Sequence, residues 1–216
     1  MMKRILFAWV FIMSAYCLSC QPQPNNLKHN TLEKVGYSSI EIFELIQIAS
    51  AFDSLINHAF INSDSTTSFQ YFCNYINSEE EDDPLAFYSP FRVDSLRAIF
   101  FRIRQMNIYA DIWHEVSYYD SKDAETVIGT SLAYNLSGKF LKFIKSTDSK
   151  YNRSPYYYSS IIRSGDGSIV PTFYFGFQNY AYNKYDKYPD FQLVCAVHYF
   201  TMIFNILERE GMMSIK

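Results

Sequence analysis

Two carboxylates raise the first chemical question in this chain. On a helix running through residues 108 to 119, Asp111 and Glu115 would lie four apart on one face, with Tyr118 nearby. Paired carboxylates can divide acid and base work when their surroundings separate their pKa values, as a carboxylate-dependent hydrolase requires. Helix surfaces also carry such pairs for solubility alone, so the pair is a site only if both groups enter one pocket and one pKa is raised. His114-Glu115-Val116-Ser117-Tyr118 begins like the zinc pattern H-E-x-x-H. Tyr118 stands where the second histidine belongs, and zinc usually takes about three protein ligands, so no metal is expected. The plainer reading leaves His114 and Glu115 half exposed beside a packed Trp113.

The other reactive residue types are scattered. His29, His58 and His198 stand alone, and a satisfied structural histidine is the usual outcome for such positions. The chain has no G-x-S-x-G, Walker A or G-x-G-x-x-G run, so no nucleophile elbow or phosphate cradle is expected. The acidic run Glu79-Glu80-Glu81-Asp82-Asp83 lacks the alternation and central glycine of a calcium loop and reads as a solvated charge run. Gly165-Asp166-Gly167 is a turn before anything else. No catalytic residue and no cofactor follow from these patterns.

A denser feature is aromatic. Tyr156, Tyr157, Tyr158, Phe173, Tyr174, Phe175, Tyr180, Tyr182, Tyr185 and Tyr188 crowd into about thirty residues. If several are exposed together, with Tyr156, Tyr157, Tyr158, Tyr174, Tyr180 and Tyr182 as the contact set, stacking on a glycan or peptide is the chemistry they offer. Burial would remove that reading. Aromatics make up 19% of the whole chain, and Phe, Tyr, Ile, Asn and Lys are also the residues that AT-rich codons favour, so core filling is the simpler cause. The net charge of −3 is spread without a basic stripe, so nucleic acid is not an expected partner.

The elements that would position these residues are mainly helical. Ser38 and Glu41 form a capping box with Tyr37 and Ile42 as its staple. The helix they open should run to about Phe60, with Ile42, Leu45, Ile46, Ala49, Phe52, Ile56, Ala59 and Phe60 as its apolar stripe. Residues 66 to 77 give a shorter helix with Phe69, Phe72 and Ile76 on one side. Val93 to Met106 carry a further stripe that the spacing continues through Ala110, Trp113 and Ser117; a strand, from the alternation of Ile108 to Val116, is the alternative. Asp120 or Ser121 can cap the next helix, which Ala124, Ile128, Leu132, Leu136, Phe140 and Phe143 carry to about Lys145, giving an antiparallel helix pair turning at Tyr119 to Lys122. Residues 155 to 183 read as two short helices, since Ser154-Pro155 is a good start, or as a hairpin over 156–177. Pro189 opens a last, strongly apolar helix to about Arg209, which Gly211 ends. The fold expected is an antiparallel bundle of about six to eight helices, with α+β carrying a hairpin at 156–177 as the alternative.

The N-terminus is organised differently. Lys3 and Arg4 precede Ile5 to Tyr16, an uncharged run with the layout of a secretory signal. Twelve helical residues rise only about 18 Å against a hydrocarbon core of roughly 30 Å, so a permanent span is not expected. Cys17-Leu18-Ser19-Cys20 resembles the lipobox of bacterial lipoproteins, with Ser19 fitting and with Cys17 and Leu18 standing where Leu and a small residue are usual. The resemblance covers only this segment. It implies cleavage before Cys20, diacylglycerol on the Cys20 thiol, an acylated new N-terminus and, from Gln21, an outer-membrane destination.

That reading divides the chain into a signal peptide at 1–19, a lipidated flexible stalk at 20–36 and one helical domain at 37–216. Cys73 and Cys195 would then sit in an oxidising compartment, where a bridge would close a loop of about 120 residues and stabilise by about 4–5 kcal/mol. Cys195 equally suits an apolar helix as a small hydrophobe. The function expected is a non-enzymatic binding or assembly role at the cell envelope, with an envelope protein or a glycan as partner. Glycan recognition through 156–188 and hydrolysis through Asp111 and Glu115 are the alternatives.

Overall fold

The computed structural model describes residues 29–60, 67–78, 88–119, 127–150, 155–164, 182 and 185–213. These are mostly helical, with eight α-helices and one two-stranded antiparallel sheet. In chain order they are α1 (His29–Val35), α2 (Ser39–Ala59), α3 (Ser68–Ser78), α4 (Val93–Arg104), α5 (Tyr109–Ile112), β1 (Trp113–Tyr119), β2 (Val127–Tyr134), α6 (Lys139–Lys150), α7 (Pro155–Ser164) and α8 (Pro189–Arg209).

The best-capped helix forms as its sequence dictates. The Ser38 side chain accepts from the Glu41 amide at 3.3 Å while Glu41 accepts from the Ser38 amide at 2.7 Å, completing the capping box. Ile42, Leu45, Ile48, Ala49, Phe52 and Ile56 of α2 are then buried on one side. Thr67 and Gln70 make the same reciprocal pair at the start of α3, and Phe69, Phe72 and Ile76 face inward.

α8 organises the core. It packs against α2, β2 and α6, and from Phe191 to Leu207 nearly every position is buried. It is the one helix among the described residues long and apolar enough to cross a membrane, and most of it lies inside the fold. Pro189 opens it and Gly211, at φ +66°, ends it, with the amides of Met212 and Met213 both turned back to the Leu207 carbonyl at 2.8 and 3.1 Å. The Arg97 guanidinium of α4 then holds the Met212 carbonyl, with Nε at 2.8 Å.

Three expectations are corrected. The stripe from Val93 does not continue as one helix: α4 ends at Arg104, α5 is one turn, and Trp113 to Tyr119 is strand. The break at Asn107 is enforced from outside, because the Glu44 carboxylate accepts from the amides of Asn107 and Ile108 and from the Asn107 side chain. A carboxylate on exposed amides starts a new turn instead of extending the old one. The helix expected over about 121–145 is likewise strand at Val127–Tyr134 followed by α6 at Lys139–Lys150, so the antiparallel pair is of strands, not helices. Trp113 faces Tyr134 and Glu115 faces Leu132 across it, with an irregularity between Tyr118 and Tyr119. On the outer side of β2, the Asn205 side chain of α8 accepts from the Leu132 amide at 2.6 Å and donates to its carbonyl at 3.0 Å. That pairing, with β-branched Val127, Ile128 and Thr130, favours strand over the helical spacing.

The third correction concerns the stalk. His29–Val35 is helix, Leu32 is fully buried, and it belongs to the same hydrophobic cluster that runs to Met213. The packed part of the chain therefore starts before Tyr37. At 156–177 the first arm of the alternative hairpin is helix α7, and the second arm lies outside the described residues. Cys73 and Cys195 are buried thiols, not a disulfide.

Candidate functional site

Asp111 sits at the end of α5, where it meets the start of α6 and the junction of α1 and α2. Its carboxylate accepts from the Lys139 amide at 2.8 Å on Oδ1, and from the Phe140 amide at 3.1 Å and the Tyr37 hydroxyl at 2.9 Å on Oδ2. Lys139 and Phe140 are the first residues of α6, whose amides have no intrahelical acceptor. A carboxylate there satisfies them and complements the positive end of the helix dipole. The approach requires glycine at 138, since a Cβ built there would stand 1.9 Å from the Asp111 carbonyl oxygen.

Lys139 extends the cluster. Its ammonium pairs with Glu41, lies 3.4 Å from the Gly36 carbonyl and stands 4.7 Å from the centre of the Tyr37 ring. Gly36 ends α1 at φ +99°, a left-handed conformation that closes the helix and turns the chain toward Ser38. Burial, then the negative charge of Asp111, raises the Tyr37 pKa, so the phenol keeps its proton and remains a donor. Burial pushes the Glu41 carboxyl up, but hydrogen bonds from Lys139 and Ser38 and the Lys139 charge outweigh it and leave the pKa lowered.

Glu115 has different company. It pairs with Arg104 at 2.9 Å and accepts from Tyr109 at 3.4 Å. Burial, with the charge of Glu115, pushes the Tyr109 hydroxyl up to about 12. Asp111 and Glu115 thus do not share a helix face: one ends α5, the other lies on β1, and their partners are separate. With three hydrogen bonds accepted from the protein, the Asp111 carboxylate joins the start of α6 to Tyr37, between α1 and α2. His114 and Glu115 are both exposed on β1, and Trp113 is buried with its indole N–H on Thr201 Oγ1 at 2.7 Å. Among the described residues no group of three or more His, Cys, Asp or Glu side chains is placed to hold a metal ion.

The aromatic cluster divides. Tyr158 and Tyr182 are half buried against the core: Lys145 Nζ lies 5.5 Å from the Tyr158 ring centre, and Gln70 and Asn74 donate to the Tyr182 carbonyl and hydroxyl at 3.3 Å each. Tyr185 is buried and stacked on Phe69 at 4.0 Å. Tyr174 and Tyr180, the side chains of Tyr156 and Tyr157, and Cys20 lie outside the described residues. Local spacing did not point to Tyr37 and Lys139 as partners of Asp111, nor to Lys139 as the partner of Glu41. Gly138 inside an expected helix was the available signal.

No family model matches the chain, and no curated protein or solved structure matches it.

Proposed function

We propose that this chain is an envelope-anchored lipoprotein, held at the outer membrane through Cys20, whose helical domain acts in binding or assembly without catalysis. The observation that carries the reading is the N-terminal order of Lys3 and Arg4, an uncharged apolar run, Ser19 and Cys20. The absence of an enzymatic role is supported by the separate, internally engaged surroundings of Asp111 and Glu115.

The test is incorporation of a labelled palmitate analogue, followed by membrane fractionation. The native chain is expected to carry label and to sediment with membranes, and Cys20→Ala to lose both. A Cys20→Ala chain that still sediments, unlabelled, would sink the lipid anchor. Affinity capture of the membrane-attached chain then bears on the role: a fixed envelope protein supports assembly, whereas polysaccharide alone points to the glycan reading through 156–188.

A further inference from the structure

Four large apolar side chains are exposed among the described residues: Ile40, Phe43, Phe101 and Ile162. Ile40 and Phe43, 66% and 60% exposed, are three apart at the start of α2 and so share a face. The opposite face of α2 already supplies the core with Ile42, Leu45 and Ile48. The pair therefore makes a second, outward apolar face on a helix whose inward face is complete.

Its occupant follows from size, charge and place. The two side chains offer roughly 250 Å² of surface, against about 800 Å² per partner in a stable protein interface. A second copy of this chain is poorly served by so small a patch. Lys34, Lys139 and Lys142 balance Glu33, Glu41 and Glu44 on α1, α2 and α6, which meet at this end, so no charged ligand is selected. Eight residues separate Cys20 from His29, the first residue of α1, and fully extended they span at most about 29 Å. α1 packs on both α2 and α6, so an anchor at Cys20 keeps the start of α2 within reach of the surface that receives it.

We propose that the start of α2 rests on the bilayer that holds Cys20, with Ile40 and Phe43 inserted between headgroups and acyl chains. The inference rests on the reading of Cys20 as lipidated. Two apolar side chains bind a bilayer weakly on their own. A short tether makes the contact intramolecular, at an effective concentration of order mM, and so allows a small patch to stay engaged.

The experiment uses the acylated full chain carrying Phe43→Trp, reconstituted into phosphatidylcholine vesicles with and without brominated acyl chains. Trp9 leaves with the signal peptide and Trp113 is buried, so the new indole dominates the lipid-sensitive signal. After the emission of the native chain, due to Trp113, is subtracted, brominated lipid is expected to quench the new indole about twofold, because an interfacial residue lies at the depth of the upper acyl carbons. Acylated protein with unquenched, water-exposed emission overturns the docking and leaves the lipoprotein reading intact. Emission that shifts with protein density but not with bromine assigns the patch to a second copy and also overturns the docking. A chain that carries no acyl group removes both readings together.

Discussion

Around Phe52 four aromatic rings meet: Tyr199 is stacked at 5.5 Å, and Phe72, Phe200 and Tyr185 present edges at 5.9, 5.5 and 6.4 Å. Around Asp111 three donors meet instead, two from the backbone of α6 and one from Tyr37. Both regions join distant parts of the chain. The first does so with contacts that depend on volume, the second with contacts that depend on direction. A ring cluster can exchange one hydrophobe for another of similar size at modest cost. A carboxylate on two helix-start amides, crossed by a glycine that no side chain can replace without a clash, has no such latitude.

Substitutions can break this comparison. The largest effect is expected at Phe52→Ala, which empties the meeting point of four rings and should lower unfolding free energy by about 3–5 kcal/mol in urea titrations. Phe52→Leu should recover most of that; equal losses for both variants would show that ring geometry, not volume, holds the core. Next is Asp111→Ala, which leaves two amides and a phenol without their acceptor and should cost about 2–3 kcal/mol by the same measurement. Here the size-matched change should not help: Asp111→Leu is expected to be as damaging as alanine, and a near-native Asp111→Leu would sink the directional account.

The smallest effect sharpens the contrast inside the core itself. His198 is fully buried on α8, and burial pushes its pKa down to about 3 from an ordinary value near 6.5. Below about 6.5 the unfolded chain binds a proton that the folded chain refuses, so stability is complete above that pH and falls as pH drops toward 3. From pH 7 to pH 5 this group alone should remove about 2 kcal/mol. Urea midpoints at the two pH values should show the loss in the native chain and not in His198→Gln. An unchanged slope in the variant would place the acid sensitivity elsewhere.

The two regions also differ in how legible they were. α2 and α8 could be read from residues within a few positions of one another: Ser38 with Glu41, Pro189 at one end and Gly211 at the other. Their apolar stripes are local patterns, and burial followed them. The Asp111 clamp draws on Tyr37 and Lys139, 74 and 28 residues away, and a spacing rule within one helix has no means of finding such partners. The same distance problem produced the misread strands. Helical spacing across 93–117 and 121–145 was present, but Glu44 and Asn205, contributed by remote helices, supply hydrogen bonds that favour a break and a strand. Leu32 in α1 stands among polar neighbours, and its burial depends on α2 and α6 packing around it.

Asn205 has a consequence for solubility. A two-stranded ribbon leaves two rows of amides and carbonyls on which another chain can template itself. By gripping both backbone groups of Leu132, the Asn205 amide imitates a third strand one residue long and occupies that row toward the end of β2. A further strand on that side would first have to displace Asn205. Strand exchange between copies is opposed on the β2 side by a side chain of the same fold.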